Sequence, residues 1–233
     1  MSGHSFQALT LDLDDTLWPV WPTIARAEAA LHGWLKQHAP RTAARFDVAA
    51  LRRIRNAVAD AHPDQAHDLS WQRQTSIAWA LREAGDDEAL AAPAFEVFFD
   101  ERQRVVLYPD TLAALQALSA RWPLFALTNG NADLERIGLA QFFIGGLSAK
   151  AFGQGKPEPA FFHAACEHLQ LTPHQVLHVG DDWALDIEGA CGAGLAAAWV
   201  CRPGPPPKPE GASAQPWFEG SDLAELVRVL GAG

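Results

Sequence analysis

The sequence has little cysteine: three residues in 233, Cys166, Cys191 and Cys201, far apart and odd in number. With no C-x-x-C pair, the pattern argues against a disulfide framework and against zinc, and a reducing, cytoplasmic setting is the expectation. The first residues lack a basic region followed by an apolar stretch, so no secretory leader is expected. No apolar run approaches the roughly 20 residues that span a bilayer, which argues against a membrane partner. Positive charge is short as well: Lys plus Arg is 18 against Asp plus Glu 28, a formal net charge of -10. Without a basic stripe or Lys/Arg run, no nucleic-acid partner is expected. If the substrate is anionic, a bound cation must reverse the local field that this charge creates. Nine tryptophans stand against one methionine, and composition assigns that imbalance no role. No internal repeat is present, and the sequence sets no oligomeric state.

What is there suits a folded chain with a real core: 48% hydrophobic and 20% charged residues. Ala8–Leu13 (A-L-T-L-D-L) is a short apolar run ending in acid. Similar runs recur at Pro123–Thr128, Gln175–Val179 and Ala196–Cys201. Each is strand-length and bounded by turn residues, the pattern of strands buried on both faces of a parallel sheet. Helical patterns lie between them. Leu112, Leu115 and Leu118 follow an expected Asp110 cap, and Pro157–Gln170 carries Phe161, Phe162 and Leu169. Ser221 is expected to cap a closing helix with Leu223, Leu226, Val227 and Leu230. Strands alternating with helices predict a doubly wound, Rossmann-like α/β core.

One stretch breaks the alternation. Between about Pro19 and Val106 only helical periodicity is legible. Ile24, Ala27, Leu31, Trp34 and Leu35 form one face, stopped by Pro40, and Leu51, Ile54 and Val58 form a second. Ser70 is expected to cap a third helix carrying Ile77 and Leu81 up to Gly85, and Phe95, Phe98 and Phe99 mark a fourth. The expected division is a core of residues 1–18 and 107–233 and an all-helical cap domain of residues 19–106. The plainer alternative is a helical layer with no part in binding. Arg202–Gly211 reads as a stiff Pro-rich surface loop, with a ligand for a proline-binding module as the alternative.

Four features stand in order, each near a predicted strand end or helix start, on the edge where open α/β sheets bind ligands. They are Asp12-Leu13-Asp14-Asp15-Thr16, Thr128-Asn129, Lys156-Pro157, and Gly180-Asp181-Asp182 through Asp186. Phosphoryl transfer needs an in-line nucleophile, a proton donor for the leaving oxygen, and positive charge around the equatorial oxygens. A carboxylate can serve as nucleophile through an aspartyl phosphate, and a second can protonate the leaving alkoxide and later activate water. Thr128 can donate a hydroxyl hydrogen bond to the phosphoryl group, and Lys156 can neutralise its charge. Several acidic oxygens without cysteine or clustered histidine suit a hard ion such as Mg²⁺.

These four motifs, in this order and over nearly the whole chain, resemble the haloacid dehalogenase superfamily. The resemblance implies Asp12 as nucleophile and Asp14 as general acid/base. It implies Mg²⁺ held by the Asp12 and Asp181 carboxylates and the Asp14 backbone carbonyl, with Asp182 and Asp186 behind them or as alternative ligands. Dehalogenases of this group lack the second Asp, because expelling halide needs no proton donor, so Asp14 favours a phosphatase. Asp15 stands where many members carry Gly. Four segments are also similar to the flavin mononucleotide phosphatases of enteric bacteria: T-L-W-P-V-W-P-T-I, H-D-L-S-W-Q-R-Q-T-S-I, R-W-P-L-F-A-L-T-N-G-N-A and L-H-V-G-D-D-W-A-L-D. Relatives of those enzymes dephosphorylate a phosphoribitylamino-pyrimidine of riboflavin synthesis. The implied substrate is a small phosphorylated metabolite, a flavin or ribityl phosphate among the candidates.

Blander readings stand beside these. His178, inside a predicted buried strand, reads as a satisfied core histidine before a ligand. Asn129-Gly130-Asn131 is a good turn by itself, so Asn129 is a substrate contact only as an alternative to that. Thr16 and Arg73 are further substrate-binding candidates, although arginines on such helices mostly face water. Trp18 and Trp21 flank the entry to the helical stretch, where they could stack on a flat ring or simply pack. Two other functions fit part of the pattern: a sugar phosphomutase of the same superfamily, and a phospho-accepting signalling receiver. Receivers are about half this length and lack the helical insertion.

Overall fold

The computed structural model describes residues 6–202 and 208–232, and it divides into two compact units, Met1–Pro19 with Val106–Gly233, and Val20–Val105. The first is an α/β unit. Its sheet holds β1 (Ala8–Leu11), β2 (Leu124–Thr128), β3 (Gly145–Ser148), β4 (Val176–Gly180), β5 (Ala196–Val200) and β6 (Phe218–Gly220). All pairings are parallel and the order is β3-β2-β1-β4-β5-β6. Every residue of β1, β2 and β4 is buried, which is why these strands read as continuous apolar runs rather than alternating ones. Strand order reverses at β1, which pairs with β2 on one side and β4 on the other. Leu11 sits level with Ala126 and Val179. The residues after β1, β2 and β4 therefore emerge together at the switch point, where doubly wound sheets bind ligands.

The Val20–Val105 unit is helical: α1 (Val20–His38), α2 (Pro40–Arg45), α3 (Val48–Ala61), α4 (Leu69–Ala84) and α5 (Ala91–Arg102). Its core joins Ala27, Leu31 and Leu35 of α1 to Leu51, Ile77, Leu81, Phe95 and Phe98. Most of the predicted faces turn to this core, Ile24, Trp34, Ile54 and Phe99 only partly buried against it, while Val58 is half-buried and not part of it; residues three and four apart share one side of a helix. Pro40 does stop α1, and it then opens α2, where its missing N–H costs nothing. Asp68, not Ser70, caps α4 by accepting from Trp71 N–H. Gly85 ends α4 with φ of 78°, a left-handed turn that a side chain would strain.

The α/β unit continues with α6 (Thr111–Ser119), the short turns α7 (Leu134–Ile137) and α8 (Ala149–Phe152), α9 (Pro159–Leu169), α10 (Gly189–Gly192) and α11 (Leu223–Val229). Phe161 and Phe162 of α9 and Trp183, Ile187 and Trp199 fill one face of the sheet. Strands β3 and β6 went unpredicted because G-G-L-S and F-E-G carry no apolar run. Two caps differ from expectation. Asp110 makes no cap bond to α6; its carboxylate instead accepts from Leu223 N–H at 2.7 Å and from Arg202. Asp222 rather than Ser221 caps α11. The Pro-rich loop falls partly outside the described residues. Among the described residues no helix is long and apolar enough to cross a membrane.

Candidate active site

Strand β1 stops at Leu11, but the Asp12 N–H still donates to Val179 O at 2.9 Å. Asp12 is thereby held in register with β4 while its carboxylate points to the switch point. Beyond it the loop closes on itself: Leu17 N–H donates to Leu13 O and Asp15 N–H to Trp18 O, each at 2.8 Å. Asp15 adopts φ of 59°, and aspartate is among the few side chains that tolerate this left-handed region. That accounts for an acidic residue where glycine is common. The turn buries Thr16, whose hydroxyl donates to Asp181 Oδ1 at 2.8 Å and lies 3.3 Å from Asp12 Oδ2. Thr16 thus bridges two carboxylates, a different position from the substrate contact expected of it.

Lys156 arrives from the other side. Asn129 clamps its backbone, donating to Lys156 O at 2.8 Å and accepting from Lys156 N–H at 2.7 Å. Gly155 permits this approach, since a Cβ there would lie 2.4 Å from Asn129 Oδ1. The amide of Asn129 is spent on this clamp rather than aimed outward. The peptide bond from Lys156 to Pro157 is cis. Lys156 Nζ, in a residue only 5% exposed, donates to Asp12 Oδ1 at 2.5 Å and to Asp186 Oδ1 at 2.6 Å.

Asp186 is positioned by a wide turn over Trp183–Glu188 that follows β4. A Cβ on Gly180 would fall 2.2 Å from Asp186 Cγ, so only glycine lets this carboxylate fold back against the strand. Its Oδ1 also meets His178 Nε2 at 3.0 Å, and its Oδ2 accepts from Asp182 N–H at 3.0 Å. The other ring nitrogen of His178, Nδ1, lies 2.9 Å from Thr10 Oγ1. Burial lowers the His178 pKa, so the ring is neutral; with Asp186 as acceptor its proton sits on Nε2, and Thr10 donates to Nδ1. His178 is a satisfied core histidine, and it is also the strut behind Asp186.

The charges do not balance. Burial and neighbouring carboxylates push Asp12 up to about 7 and Asp181 to about 9, with Lys156 and Thr16 respectively pulling the other way. Asp186, although buried, is held well below the usual carboxylate range by Lys156 and His178. Burial opposes the charge of Lys156, yet Asp12 and Asp186 hold it protonated far above its ordinary value. Oxygens of Asp12, Asp181 and Asp186 lie within 4.8 Å of one another. Protein donors reach both oxygens of Asp12 and of Asp186, and Thr16 reaches Asp181 Oδ1, so an ion here would share carboxylates that Lys156, Thr16 and His178 also engage. An all-oxygen, acid-rich set of this kind fits a hard divalent cation.

The other predicted residues have partners of their own. Thr128 is buried, and its oxygen accepts from Gly130 N–H at 2.9 Å, which turns its hydroxyl hydrogen elsewhere. Asp14 is half-buried and accepts from the Trp18 indole N–H at 2.8 Å. Asp182 caps the wide turn, its Oδ1 accepting from Ala184 and Leu185 N–H. Arg73 lies in the helical unit, paired with Glu28 at 3.3 Å and stacked 4.2 Å from the Phe98 ring centroid; that ion pair occupies the guanidinium expected to reach substrate. Sequence reasoning missed two supports. Trp199 Nε1–H holds Asp181 O at 2.7 Å. Buried Arg202 holds Thr16 O through Nε and Nη2 at 3.2 and 3.1 Å and also pairs with Asp110. Both sit in or after the apolar run of β5, where nothing in the sequence distinguishes a support from core or loop.

The profile of the haloacid dehalogenase-like hydrolases matches residues 6–194. A 5-amino-6-(5-phospho-D-ribitylamino)uracil phosphatase, YigB of Escherichia coli (strain K12), is 36% identical over 197 residues, covering 83% of this chain and 82% of that protein. A phosphoserine phosphatase of Thermus thermophilus is 33% identical over 94% of this chain and 96% of its own. Among solved structures, a 2-haloacid dehalogenase from Pseudomonas syringae pv. Tomato DC3000 superposes with a TM-score of 0.88. It is 38% identical and covers 97% of this chain and 98% of that one.

Proposed function

This chain belongs to the haloacid dehalogenase-like hydrolase family, and we propose that it is a Mg²⁺-dependent phosphatase acting on a small phosphorylated metabolite. The observation that carries the reading is the pair of carboxylates with different surroundings. Asp12 is buried against Lys156, whereas Asp14, two residues on, is half-buried and hydrogen-bonded separately. On this reading Asp12 attacks phosphorus and Asp14 moves protons. Asp12 attacks in line, the bond to the leaving oxygen breaks, and Asp14 passes a proton to that oxygen. The aspartyl phosphate on Asp12 is then attacked by water, which gives its proton back to Asp14. Lys156 and the Thr128 hydroxyl stabilise the phosphoryl oxygens. Mg²⁺, held by Asp12, Asp181 and the Asp14 backbone carbonyl, supplies charge neutralisation for substrate and nucleophile.

For the substrate, the identity to YigB supports a phosphoribitylamino-pyrimidine, and flavin mononucleotide rests on the four segment resemblances given above. Dehalogenation is the second reading, supported by the similarity to the Pseudomonas syringae protein. Asp14 weighs against it, because halide leaves without a proton. One experiment separates them: phosphate and halide release from a panel of phosphorylated metabolites and 2-haloacids, with and without Mg²⁺. Mg²⁺-dependent phosphate release that is lost in Asp12→Asn supports the proposal. Halide release without phosphate release would replace it.

A further inference from the structure

Asp14 follows the end of β1 by three residues, in the loop rather than in the sheet. A general acid that samples several rotamers spends little time in reach of the leaving oxygen. The loop contains its own restraint. The turn through Asp15 brings Trp18 back beside Asp14, the two forming an isolated parallel bridge, and buries the Trp18 ring completely. A buried indole N–H needs an acceptor, and the acceptor here is Asp14 Oδ1 at 2.8 Å.

We propose that Trp18 is a positioning residue for the acid–base step: its indole N–H fixes the Asp14 carboxyl and assigns proton transfer to Oδ2. An indole nitrogen only donates, so Oδ1 is held as acceptor and the transferable proton sits on Oδ2. In the first half-reaction that proton moves to the leaving oxygen as the phosphorus–oxygen bond breaks and the bond to Asp12 forms. In the second, water gives a proton to Oδ2 as its oxygen displaces Asp12 from phosphorus. The inference rests on the phosphatase reading and goes beyond it, since packing alone would give Trp18 no effect on leaving-group dependence.

The test is Trp18→Phe, which keeps an aromatic ring and deletes the N–H. It compares kcat/KM for an alkyl phosphate, whose alkoxide must be protonated, with kcat/KM for p-nitrophenyl phosphate, whose phenolate leaves unprotonated. The alkyl value should fall about 10- to 100-fold, a part of the 10²–10⁴ that general acids contribute, while the aryl value stays within about threefold. Equal losses on both substrates, or no loss on either, would overturn the proposal. The alkyl-to-aryl ratio is internal to each sample, so a reduced folded fraction cancels. If the Phe variant does not fold, Trp18→Leu is read in the same way. Trp18→His, which retains a ring donor, should restore the ratio toward wild type; a ratio as low as that of the Phe variant would count against the indole N–H. Failure of wild type to release phosphate from either substrate overturns the phosphatase reading instead, and is distinct from all of these.

Discussion

Two groups of buried charge stand in this chain, one in each unit, and they are built on opposite plans. In the helical unit, Glu28 of α1 takes Arg52 on one carboxylate oxygen and Arg73 on the other, with Arg73 also stacked on Phe98. Burial lowers Arg73 to about 10 against the pull of Glu28, and the guanidinium remains charged at neutral pH. In the α/β unit, Asp12, Asp181 and Asp186 gather within 4.8 Å of one another, Lys156 pairs with Asp12 and Asp186, and Asp12 and Asp181 are pushed above the ordinary carboxylate range. The first cluster carries an excess of positive charge, with Glu28 facing Arg52 and Arg73 and Arg55 nearby. The second stays acid-rich, and it lies at strand ends where a ligand can reach it. Buried charge is therefore poor evidence of a site by itself; an unbalanced cluster at a sheet's switch point is better evidence.

The largest expected effect sharpens this difference. Lys156→Ala removes the cation that faces the phosphoryl oxygens and leaves Asp186 with the His178 ring and the Asp182 N–H. We expect kcat/KM for phosphate release to fall at least about 100-fold, a loss of roughly 2.7 kcal/mol or more in transition-state stabilisation. Glu28→Gln acts on the other cluster and leaves two guanidiniums facing each other. It should cost about 3–5 kcal/mol of stability, read as a drop in Tm, with kcat at low temperature unchanged. A lowered kcat in Glu28→Gln or in Arg73→Leu, without a lowered Tm, would break the comparison and return Arg73 to the list of substrate contacts.

Smaller effects follow from the supports. Asn129→Ala removes both bonds to the Lys156 backbone. It should lower kcat/KM about tenfold while costing about 1–3 kcal/mol in stability, the range for a buried polar group left unpaired. An unchanged rate would show that the cation holds its place without the clamp. The smallest effect concerns Arg202 and Asp110. Burial works against the Asp110 charge, but Arg202 and the Leu223 N–H hold its pKa below the ordinary value of 3.8. A depressed carboxylate adds stability that is complete above 3.8 and is lost as pH falls through its lower folded value. Asp110→Asn should therefore lower Tm at neutral pH, and that difference should vanish as pH falls through the depressed folded value. A Tm difference that persists in acid would deny the linkage.

The legible parts of this fold were those in which one residue type has one physical use. Four buried strands announced themselves as apolar runs, and the helical insertion by its periodicity. The four motifs could be placed at the sheet edge because Asp12 and Asp181 follow strands, Thr128 ends one, and Lys156 precedes a helix. What escaped notice depends on partners distant in sequence. Asp110 looks like a cap for the helix beside it but accepts from Leu223, 113 residues away. Asn129 looks like a turn residue and is a clamp on Lys156, 27 residues on. Strands β3 and β6 are specified by neighbouring strands rather than by their own composition. Tryptophan, which composition left without a role, supplies indole donors to Asp14 and to the Asp181 backbone.

The central claim is that Asp12 carries the phosphoryl group, and the most direct measurement is chemical trapping during turnover. Wild-type protein with Mg²⁺ and a phosphorylated substrate is quenched with borohydride, which reduces an acyl phosphate to an alcohol. Peptide mass spectrometry then locates the change. The account predicts conversion of Asp12 to homoserine that requires substrate and Mg²⁺ and leaves Asp14, Asp181 and Asp186 untouched. Phosphate release with no modification at Asp12, or with modification at another aspartate, would contradict it.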